Sequence, residues 1–186
     1  MRIISGNFKG KKIFLPDDKF TRPLKDLVKE SLFNIIEHSF KKKFNIFNSK
    51  ILDLFSGSGS FGLECFSRGA QEIIFIENYS KAIEVLNKNI NLLKGNEKCS
   101  VIQEDCFDFI AKIEVSKYKF DIIFIDPPFK EEKINYLIDL IKKKNILNKQ
   151  GILIIHRHKK DNVELSESVN ILDIRSYGIS KIIIGN

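Results

Sequence analysis

The sequence predicts an α/β fold: a doubly wound, mostly parallel sheet of seven strands, preceded by a small N-terminal β-hairpin plus helix extension. Three observations predict it. From Ile51 onward, short apolar runs alternate with stretches of helical length, the pattern of a parallel sheet covered on both faces. The first of these runs leads directly into a glycine-rich turn. The last two runs follow each other closely enough to pair as an antiparallel hairpin.

The individual elements follow in chain order. Residues 2–14 contain turn chemistry at Gly6 and Gly10 and predict a hairpin. A helix should open at 21–23 and run to about Phe40. Its inward face would consist of Leu24, Leu27, Val28, Ser31, Leu32 and Ile35. The later predicted strands are 51–55, 72–76, 100–103, 121–125, 151–155, 169–174 and 177–184. The predicted helices between them are 60–68, 79–93, 106–113 and 131–144.

Composition limits the class of protein. A chain of 186 residues, 43% hydrophobic and 30% charged, fits one soluble α/β domain with a small extension. No apolar run approaches the roughly 20 residues of a membrane span, and the N-terminus lacks a signal-peptide pattern. The three cysteines, Cys65, Cys99 and Cys106, are odd in number and lack C-x-x-C spacing. We therefore expect a cytoplasmic protein with reduced thiols and no zinc site.

Positive charge is concentrated at the N-terminus. Residues 1–50 carry 12 Lys and Arg against 5 Asp and Glu, whereas residues 51–186 carry 19 of each. The whole net charge of +7 therefore lies in the first quarter of the chain. We divide the chain into a basic hairpin and helix extension, 1–45, that docks a polyanion, and a neutral catalytic domain, 46–186.

Four basic residues of the extension are candidate phosphate contacts: Arg2, Lys9, Lys11 and Lys12. The alternative is an ordinary lysine-rich solvated surface. We assign the runs 41–43 and 142–144 to that alternative, because each lies at a predicted helix end, where cations suit the helix dipole.

The glycine-rich turn predicts a nucleotide-like ligand. Gly57, Gly59 and Gly62 have the G-x-G-x-x-G spacing, and Glu77 lies 20 residues beyond Gly57 at the end of the next strand. The turn lets a ligand approach the backbone, and the acid accepts ribose hydroxyls. The pattern alone fits NAD as well as S-adenosylmethionine (AdoMet). Asp53 favours AdoMet, because an acid at the strand end attracts its cations and repels a pyrophosphate. Asp53 could also cap the glycine loop, and the two roles are compatible.

The motif Asp126-Pro127-Pro128-Phe129 follows the fourth apolar strand and predicts catalysis on an amine. The carboxylate and the Pro127 carbonyl can each accept one hydrogen bond from an exocyclic NH₂ group. Both prolines lack an N–H and fix φ, so the loop is stiff, and Phe129 can lie against a nucleobase ring. The alternative is a turn that merely ends the strand. Because ligands bind at the carboxyl ends of parallel strands, Asp53, Glu77, Asp105 and Asp126 should converge on one cleft.

Four segments resemble the RsmD family. The segment 52–64 looks like the AdoMet motif of class I methyltransferases, and 126–129 looks like their amino-methylating signature. The segments 2–6 and 21–34 are similar to the RsmD family in particular. The resemblance implies a Rossmann-like methyltransferase fold and the transfer of a methyl group from AdoMet to guanine N2 in 16S ribosomal RNA. It also implies action on an assembled or assembling 30S subunit, and a monomer is our default expectation for the oligomeric state.

The resemblance assigns roles to further residues. AdoMet would lie over the glycine loop, formed by Phe55, Gly57, Ser58, Gly59 and Gly62, with Glu77 on its ribose. Asp105, beside Cys106, would accept from the adenine amine, although it could instead be the N-cap of the following helix. Arg22 would pair with the AdoMet carboxylate or with an RNA phosphate.

One segment departs from the family pattern. The family often has an acidic residue just after the fifth core strand, where this chain has His156-Arg157-His158. We expect a basic rim there that strengthens phosphate contact. His156 and His158 would share one face of a strand, but no third ligand is evident, so we expect no metal site.

Three alternative functions share part of these motifs. An adenine-N6 methyltransferase acting on DNA or RNA would have the same proline loop, and a DNA enzyme would usually need a separate target-recognition domain. A nicotinamide-dependent oxidoreductase would have the glycine loop but no use for Asp53 or the proline loop. A non-catalytic RNA-binding module would need only the basic extension.

Overall fold

The structure is a computed structural model that describes residues 1–18, 24, 26–39, 45–161 and 165–186. Five helices and seven strands lie within these ranges. The helices are α1 Asp26–Ser39, α2 Ser60–Ser67, α3 Ser80–Leu92, α4 Cys106–Lys112 and α5 Ile134–Lys144. The strands are β1 Lys50–Leu54, β2 Glu72–Glu77, β3 Cys99–Gln103, β4 Phe120–Ile125, β5 Leu147–His158, β6 Ile171–Tyr177 and β7 Ser180–Gly185.

All seven strands form one sheet in the order β3-β2-β1-β4-β5-β7-β6. The first five are parallel, and β7 runs antiparallel to both β5 and β6. The predicted fold class is therefore confirmed, including the antiparallel end. The strand order reverses direction between β1 and β4, and in open α/β sheets a ligand cleft lies at such a switch point.

Each face of the sheet has its own apolar core, because successive strand residues point to opposite faces. On one face, Ile51 and Phe75 pack with α1, α2 and α3. On the other face, Leu52 and Ile76 pack with α4 and α5. The Phe61 ring stacks on Phe124 with ring centroids 4.1 Å apart, which fixes α2 against the sheet.

The N-terminal segment packs onto the end of α2. A single antiparallel bridge joins Arg2 to Lys12, so the predicted hairpin is a looped pair of segments with one bridge. Gly6 has φ 79°, and a Cβ there would lie 1.9 Å from the Ser67 carbonyl oxygen. Only glycine therefore allows this loop to approach the helix so closely.

A buried ionic cluster ties the N-terminal segment to α2. The Glu64 carboxylate is fully buried and accepts hydrogen bonds from Ile4 N at 2.7 Å, Ser5 N at 2.9 Å and Arg68 Nε at 2.9 Å. Lys29 Nζ lies 3.7 Å from the same carboxylate and donates to the Arg2 carbonyl at 2.7 Å. Burial lowers the pKa of Lys29, and the charges of Glu64 and Asp26 oppose that shift.

The helix α1 packs its apolar face into the same core as α2. Val28, Leu32 and Phe33 are buried there, as predicted for the first two. Leu27 is 69% exposed, so its predicted place on the inward face is wrong. It lies about 100° around the helix from Val28, which turns it toward solvent. The division into an extension, 1–45, and a catalytic domain, 46–186, stays a prediction.

Two boundaries differ from the sequence prediction in the region of the proline loop. The fifth strand was expected at 151–155, but β5 runs from Leu147 to His158. The fifth helix was expected to begin at 131, but α5 begins at Ile134. The residues before it form a turn in which Glu131 N donates to the Pro128 carbonyl at 2.8 Å. No helix in the described parts of the chain is both long and apolar enough to cross a membrane.

Candidate active site at the carboxyl edge of the sheet

The glycine loop, Glu77 and the proline loop follow three neighbouring strands. Leu54, at the end of β1, pairs with Ile76 of β2 and with Ile125 of β4. Asp126 N donates to the Leu54 carbonyl at 3.3 Å, which joins the proline loop to the glycine loop at its base. Burial is the main cause that raises the pKa of Asp53, and the charges of Asp126 and Glu77 raise it further. The predicted convergence on one edge is confirmed for these residues.

The glycine loop is a compact turn with left-handed residues at Phe55, Gly57 and Gly59, whose φ values are 58°, 54° and 83°. Gly59 N donates to the Ser56 carbonyl at 2.8 Å. A Cβ at Gly59 would lie 2.4 Å from the Leu86 side chain of α3. The spacing of the motif therefore serves packing as well as ligand access.

Asp53 is held inside the glycine loop. Its side chain is almost completely buried, and Oδ2 accepts from Gly62 N at 2.9 Å. Burial raises the pKa of Asp53 well above its usual range, and the Gly62 hydrogen bond opposes that shift. The capping role considered for Asp53 is therefore present. A Cβ at Gly62 would lie 2.3 Å from the Phe75 ring, so this glycine allows α2 to pack closely on β2.

Glu77 stands at the mouth of the loop with both oxygens oriented by backbone donors. Oε2 accepts from Gly57 N at 2.8 Å, and Oε1 accepts from Asn78 N at 2.9 Å and Tyr79 N at 3.0 Å. The side chain is half-buried. Its carboxylate is therefore fixed in position at an accessible place, as a group that binds ribose hydroxyls must be.

Asp105 is the N-cap of α4, the alternative role considered for it. Its Oδ1 accepts from Phe107 N at 2.8 Å and Asp108 N at 3.3 Å. The Cys106 thiol points inward, where Sγ accepts from Phe55 N at 3.3 Å, and burial raises its pKa. Only the backbone of Cys106 could contact a ligand. The Phe107 ring stacks on Tyr136 with centroids 6.2 Å apart, beside this strand end.

The proline loop begins with a carboxylate that contacts a histidine. Asp126 Oδ1 lies 2.7 Å from His156 Nδ1, and the Asp126 side chain is 20% exposed. Pro127 is buried and Pro128 is exposed. The Phe129 ring meets the His156 and His158 rings edge-on, with centroids 5.8 Å and 5.1 Å apart. The loop therefore presents one partly exposed acid and one half-buried ring.

Arg157 binds the backbone of the proline loop from the inside. Its guanidinium donates to the carbonyl oxygens of Glu131 at 2.9 Å and of Pro128 and Phe129 at 3.5 Å each. Its Nε is paired with Asp161. Arg157 is 3% exposed and His156 is also buried, so the expected basic rim is wrong for both residues. The reason is that β5 extends through them and turns their side chains into the protein.

Asn89 of α3 links the glycine loop to the N-terminal segment. The fully buried side chain donates from Nδ2 to the carbonyls of Ser58 at 3.0 Å and Phe14 at 3.1 Å. Its Oδ1 accepts from Phe14 N at 2.8 Å. Sequence reasoning missed Asn89, and also Ser180, whose hydroxyl lies 2.8 Å from His156 Nε2. Neither residue belongs to a motif, and only the fold brings them to the site.

The candidate phosphate contacts of the N-terminal segment lie at the surface. Lys9, Lys11 and Lys12 are exposed, and the exposed Arg2 lies 3.6 Å from Asp26. Lys9 and Lys11 line a shallow surface cavity of about 360 Å³ together with Lys94. Arg22, assigned to AdoMet or RNA, lies outside the described residues. No group of three or more potential metal ligands occurs among the residues that the structure describes.

Comparison with known proteins agrees with this geometry. A family model described as Conserved hypothetical protein 95 matches residues 1–186. YlbH of Bacillus subtilis, a candidate rRNA methyltransferase, is 34% identical over 99% of this chain and 97% of its own length. Ribosomal RNA small subunit methyltransferase D of Haemophilus influenzae is 32% identical over 96% of this chain and 90% of its own length.

Among solved structures, yhhF of Escherichia coli, a candidate methyltransferase, matches with a TM-score of 0.85 and 26% identity. The match covers 100% of this chain and 96% of that chain. The sequence resemblance to the RsmD family is confirmed, and the chain belongs to the family described as Conserved hypothetical protein 95.

Proposed function

We propose that this protein transfers a methyl group from AdoMet to the N2 amine of a guanine in 16S ribosomal RNA. Two kinds of observation support the proposal. Relatives named as rRNA methyltransferases align over nearly the whole chain, and the edge of the sheet carries the proline loop. The observation that carries the proposal is Asp126, a partly exposed acid held in place at the base of a stiff loop.

The residues at the edge of the sheet fit AdoMet. When bound, AdoMet supplies a methyl group on a positively charged sulfonium. Glu77 and Asp126, two partly exposed carboxylates at one edge of the sheet, suit a cation and disfavour the pyrophosphate of NAD. Glu77 would hold the ribose hydroxyls, and Asp105 would accept from the adenine amine with Oδ2, since Oδ1 caps α4. Phe55, Gly57, Ser58 and Gly59 would line the backbone side of the pocket, and Gly62 and Cys106 would support this loop from inside the protein.

The proline loop would orient the target base. Asp126 Oδ1 faces His156, so we assign Oδ2 to one hydrogen of the guanine amine and the Pro127 carbonyl to the other. Arg157 fixes the backbone directly after Pro127, and neither proline has an N–H to compete. The amine nitrogen then directs its lone pair out of the loop, and alignment supplies most of the rate. Asp126 is also placed to accept the proton that the nitrogen loses after it gains the methyl group.

RNA would reach this edge as an unstacked base. The N2 amine of a stacked guanine is inaccessible, so the nucleotide must be single-stranded or flipped out, and Phe129 would then contact the ring. The exposed basic residues Arg2, Lys9, Lys11 and Lys12 would bind phosphates of the surrounding RNA. We extend the proposal to a monomer that acts in the cytoplasm on an assembled or assembling 30S subunit.

Methyl transfer from labelled AdoMet to small ribosomal subunits lacking native methylation, followed by nucleoside analysis, tests the proposal. Labelled N2-methylguanosine is the expected product, with more label on subunits than on naked 16S rRNA. Labelled N6-methyladenosine would contradict the choice of base. Saturable AdoMet binding without label on any RNA would contradict the substrate class and point to amines of DNA or protein.

A further inference from the structure

Three side chains form one hydrogen-bonded row behind the proline loop: Asp126 directly follows β4, His156 lies in β5 and Ser180 in β7. Asp126 Oδ1 lies 2.7 Å from His156 Nδ1, and His156 Nε2 lies 2.8 Å from Ser180 Oγ. Exposure falls along the row, because the Asp126 side chain is 20% exposed and His156 and Ser180 are buried. The row therefore begins at the candidate active site and ends inside the protein.

The contacts of both ring nitrogens favour one neutral tautomer of this histidine over the other. An ionised carboxylate only accepts hydrogen bonds, so the nitrogen facing it, Nδ1, must carry a proton. The hydroxyl of Ser180 can then donate to the lone pair of Nε2. The opposite tautomer would set the Nδ1 lone pair against the carboxylate. One neutral tautomer thus satisfies Asp126, His156 and Ser180 together.

The surroundings explain why Asp126 needs a fixed donor. Asp53 and Glu77 place two further carboxylates at this edge, and the pKa of Asp53 already responds to the charges of both Glu77 and Asp126. Arg157 is the buried cation next to His156, but it is paired with Asp161 and with the carbonyls of the proline loop. His158, from the same strand, contacts the Phe129 ring. His156 is therefore the side chain that donates to Asp126 from β5.

We propose that His156 is a positioning residue that, oriented by Ser180, holds Asp126 in place and aims it at the substrate amine through its Nδ1–H. The inference rests on the proposed function, since it assigns Asp126 to the amine. The role needs a donor at the position of Nδ1. It does not need a ring that takes up a proton.

Variants at position 156 separate these requirements. His156→Ala removes the donor, whereas His156→Asn places a side-chain amide near the position of Nδ1 and cannot titrate in the working range. We expect kcat to fall roughly 10- to 100-fold in His156→Ala, the loss expected for one hydrogen bond to a charged group. The Kd for AdoMet and the KM for the subunit should stay within about threefold, and His156→Asn should recover most of kcat.

Rescue by His156→Asn provides a readout that a purely structural role would not give, because the asparagine amide keeps a donor near the position of Nδ1 and loses the ring. Ser180→Ala should lower kcat less, by roughly 3- to 10-fold, because the His156 ring can then adopt either tautomer but still offers a donor to Asp126.

Two outcomes of the kinetic tests would overturn the inference. One is a folded His156→Ala variant with wild-type kcat. The other is a His156→Asn variant whose kcat is as low as that of His156→Ala at equal melting temperature, because the imidazole ring itself, and not a donor at this position, would then be required. If His156→Ala does not fold, His156→Asn and Ser180→Ala still decide between these results.

A measurement on the wild-type protein separates this inference from the proposed function. Long-range proton–nitrogen correlation spectra of ¹⁵N-histidine-labelled protein report the tautomer of each of the three histidines. Loss of one signal in His156→Asn assigns His156. We expect a ring protonated at Nδ1, and the Nε2–H form would overturn the inference even in a protein that methylates rRNA. Failure to methylate rRNA would contradict the proposed function and leave the tautomer result intact.

Discussion

The Arg157 guanidinium donates to the Glu131 carbonyl oxygen at 2.9 Å, from a strand that lies beneath the proline loop. The same side chain also reaches the carbonyls of Pro128 and Phe129 at 3.5 Å, and it is almost completely buried. A cation with five donors in a rigid fork can hold three carbonyl groups at once. The loop that orients the base is thus fixed from the protein interior.

Replacing Arg157 by Lys should weaken the contacts that hold the proline loop while keeping the positive charge at this position. A lysine keeps the charge beside Asp161 but cannot match the fork, so we expect kcat/KM for the subunit to fall about tenfold, or about 1.4 kcal/mol. The Kd for AdoMet should change little. The exposed Arg175, paired with Asp173 on β6, offers Arg175→Lys as a matched control. Equal kcat/KM values for the two variants would show that the contacts of Arg157 with the proline loop have no role in turnover.

Asp126→Asn tests the acceptor role of the carboxylate. The amide is nearly the same size, but it presents an NH₂ group that cannot accept the amine hydrogen in the way an oxygen does. We expect turnover to fall at least about 100-fold, with nearly unchanged AdoMet affinity by calorimetry. A loss of AdoMet binding comparable to the loss of turnover would instead assign Asp126 to the cofactor.

Glu64→Gln tests the buried cluster that holds the N-terminal segment. The amide of glutamine would place its NH₂ group against donors that now face the carboxylate, including Ile4 N and Lys29 Nζ. Breaking a buried ion pair by removing one partner costs about 3–5 kcal/mol, and we expect a loss of that order in urea unfolding. The exposed pair of Glu114 and Lys117 provides the control Glu114→Gln, which should cost less than about 1 kcal/mol. Similar losses in both variants would contradict the importance of burial.

Asp53→Asn should change how stability depends on pH. The pKa of Asp53 is raised in the folded chain, mainly by burial. A carboxyl of this kind favours folding at pH below its unfolded value, and that contribution is lost as pH rises toward the folded pKa. Asparagine can accept the same hydrogen bond from Gly62 but does not titrate. The difference between the melting temperatures of Asp53→Asn and the wild type should therefore shift in favour of the variant as pH rises from about 4 to about 8.

The matched control for this pH series is Asp108→Asn, at an exposed residue in the first turn of α4. Its melting temperature should follow that of the wild type across the same range. A relative loss of stability in Asp53→Asn with rising pH would show that the buried carboxylate is charged and favourable. Calorimetry on Asp53→Asn tests the second role, because a Kd for AdoMet equal to that of the wild type would show that the charge of Asp53 does not attract the cofactor.

Charge reversal at Lys9, Lys11 and Lys12 tests RNA docking. The triple substitution to Glu should weaken RNA binding and reduce the slope of log K against log salt by about 2, since each lost phosphate contact contributes about 0.7. The same change at Lys142, Lys143 and Lys144, in the last turn of α5, is the matched control. An unchanged slope in the first variant would return these lysines to an ordinary solvated surface.

Local patterns predicted much of the fold and part of the site. Seven strands, five helices and the sheet with an antiparallel end follow from alternating apolar runs, because hydrophobic periodicity reports which residues face a core. The placement of Asp53, Glu77 and Asp126 at one edge follows from a general rule about strand ends. The capping roles of Asp53 and Asp105 were recognisable from their positions before a loop and a helix.

The same local patterns were wrong where burial depends on distant partners. Leu27 matched the apolar face of α1 but is exposed, because the neighbouring core contacts Val28 and Leu32. The basic run that contains His156 and Arg157 predicted an exposed surface, because charged side chains are usually exposed. In the fold, the extension of β5 buries both. His156 contacts Asp126, 30 residues away in the chain, and Arg157 contacts the Glu131 carbonyl, 26 residues away, besides its ion pair with the nearby Asp161.

The sequence by itself determined the glycine loop, the proline loop and the alternation of strands and helices, since each depends on residues within one turn or one strand. The tertiary structure alone decided what surrounds Asp126. Pairing of β4 with β5, and of β5 with β7, places His156 against Asp126 and Ser180 against His156. Strand register determines which side chains meet, and register is fixed only when whole strands pack together.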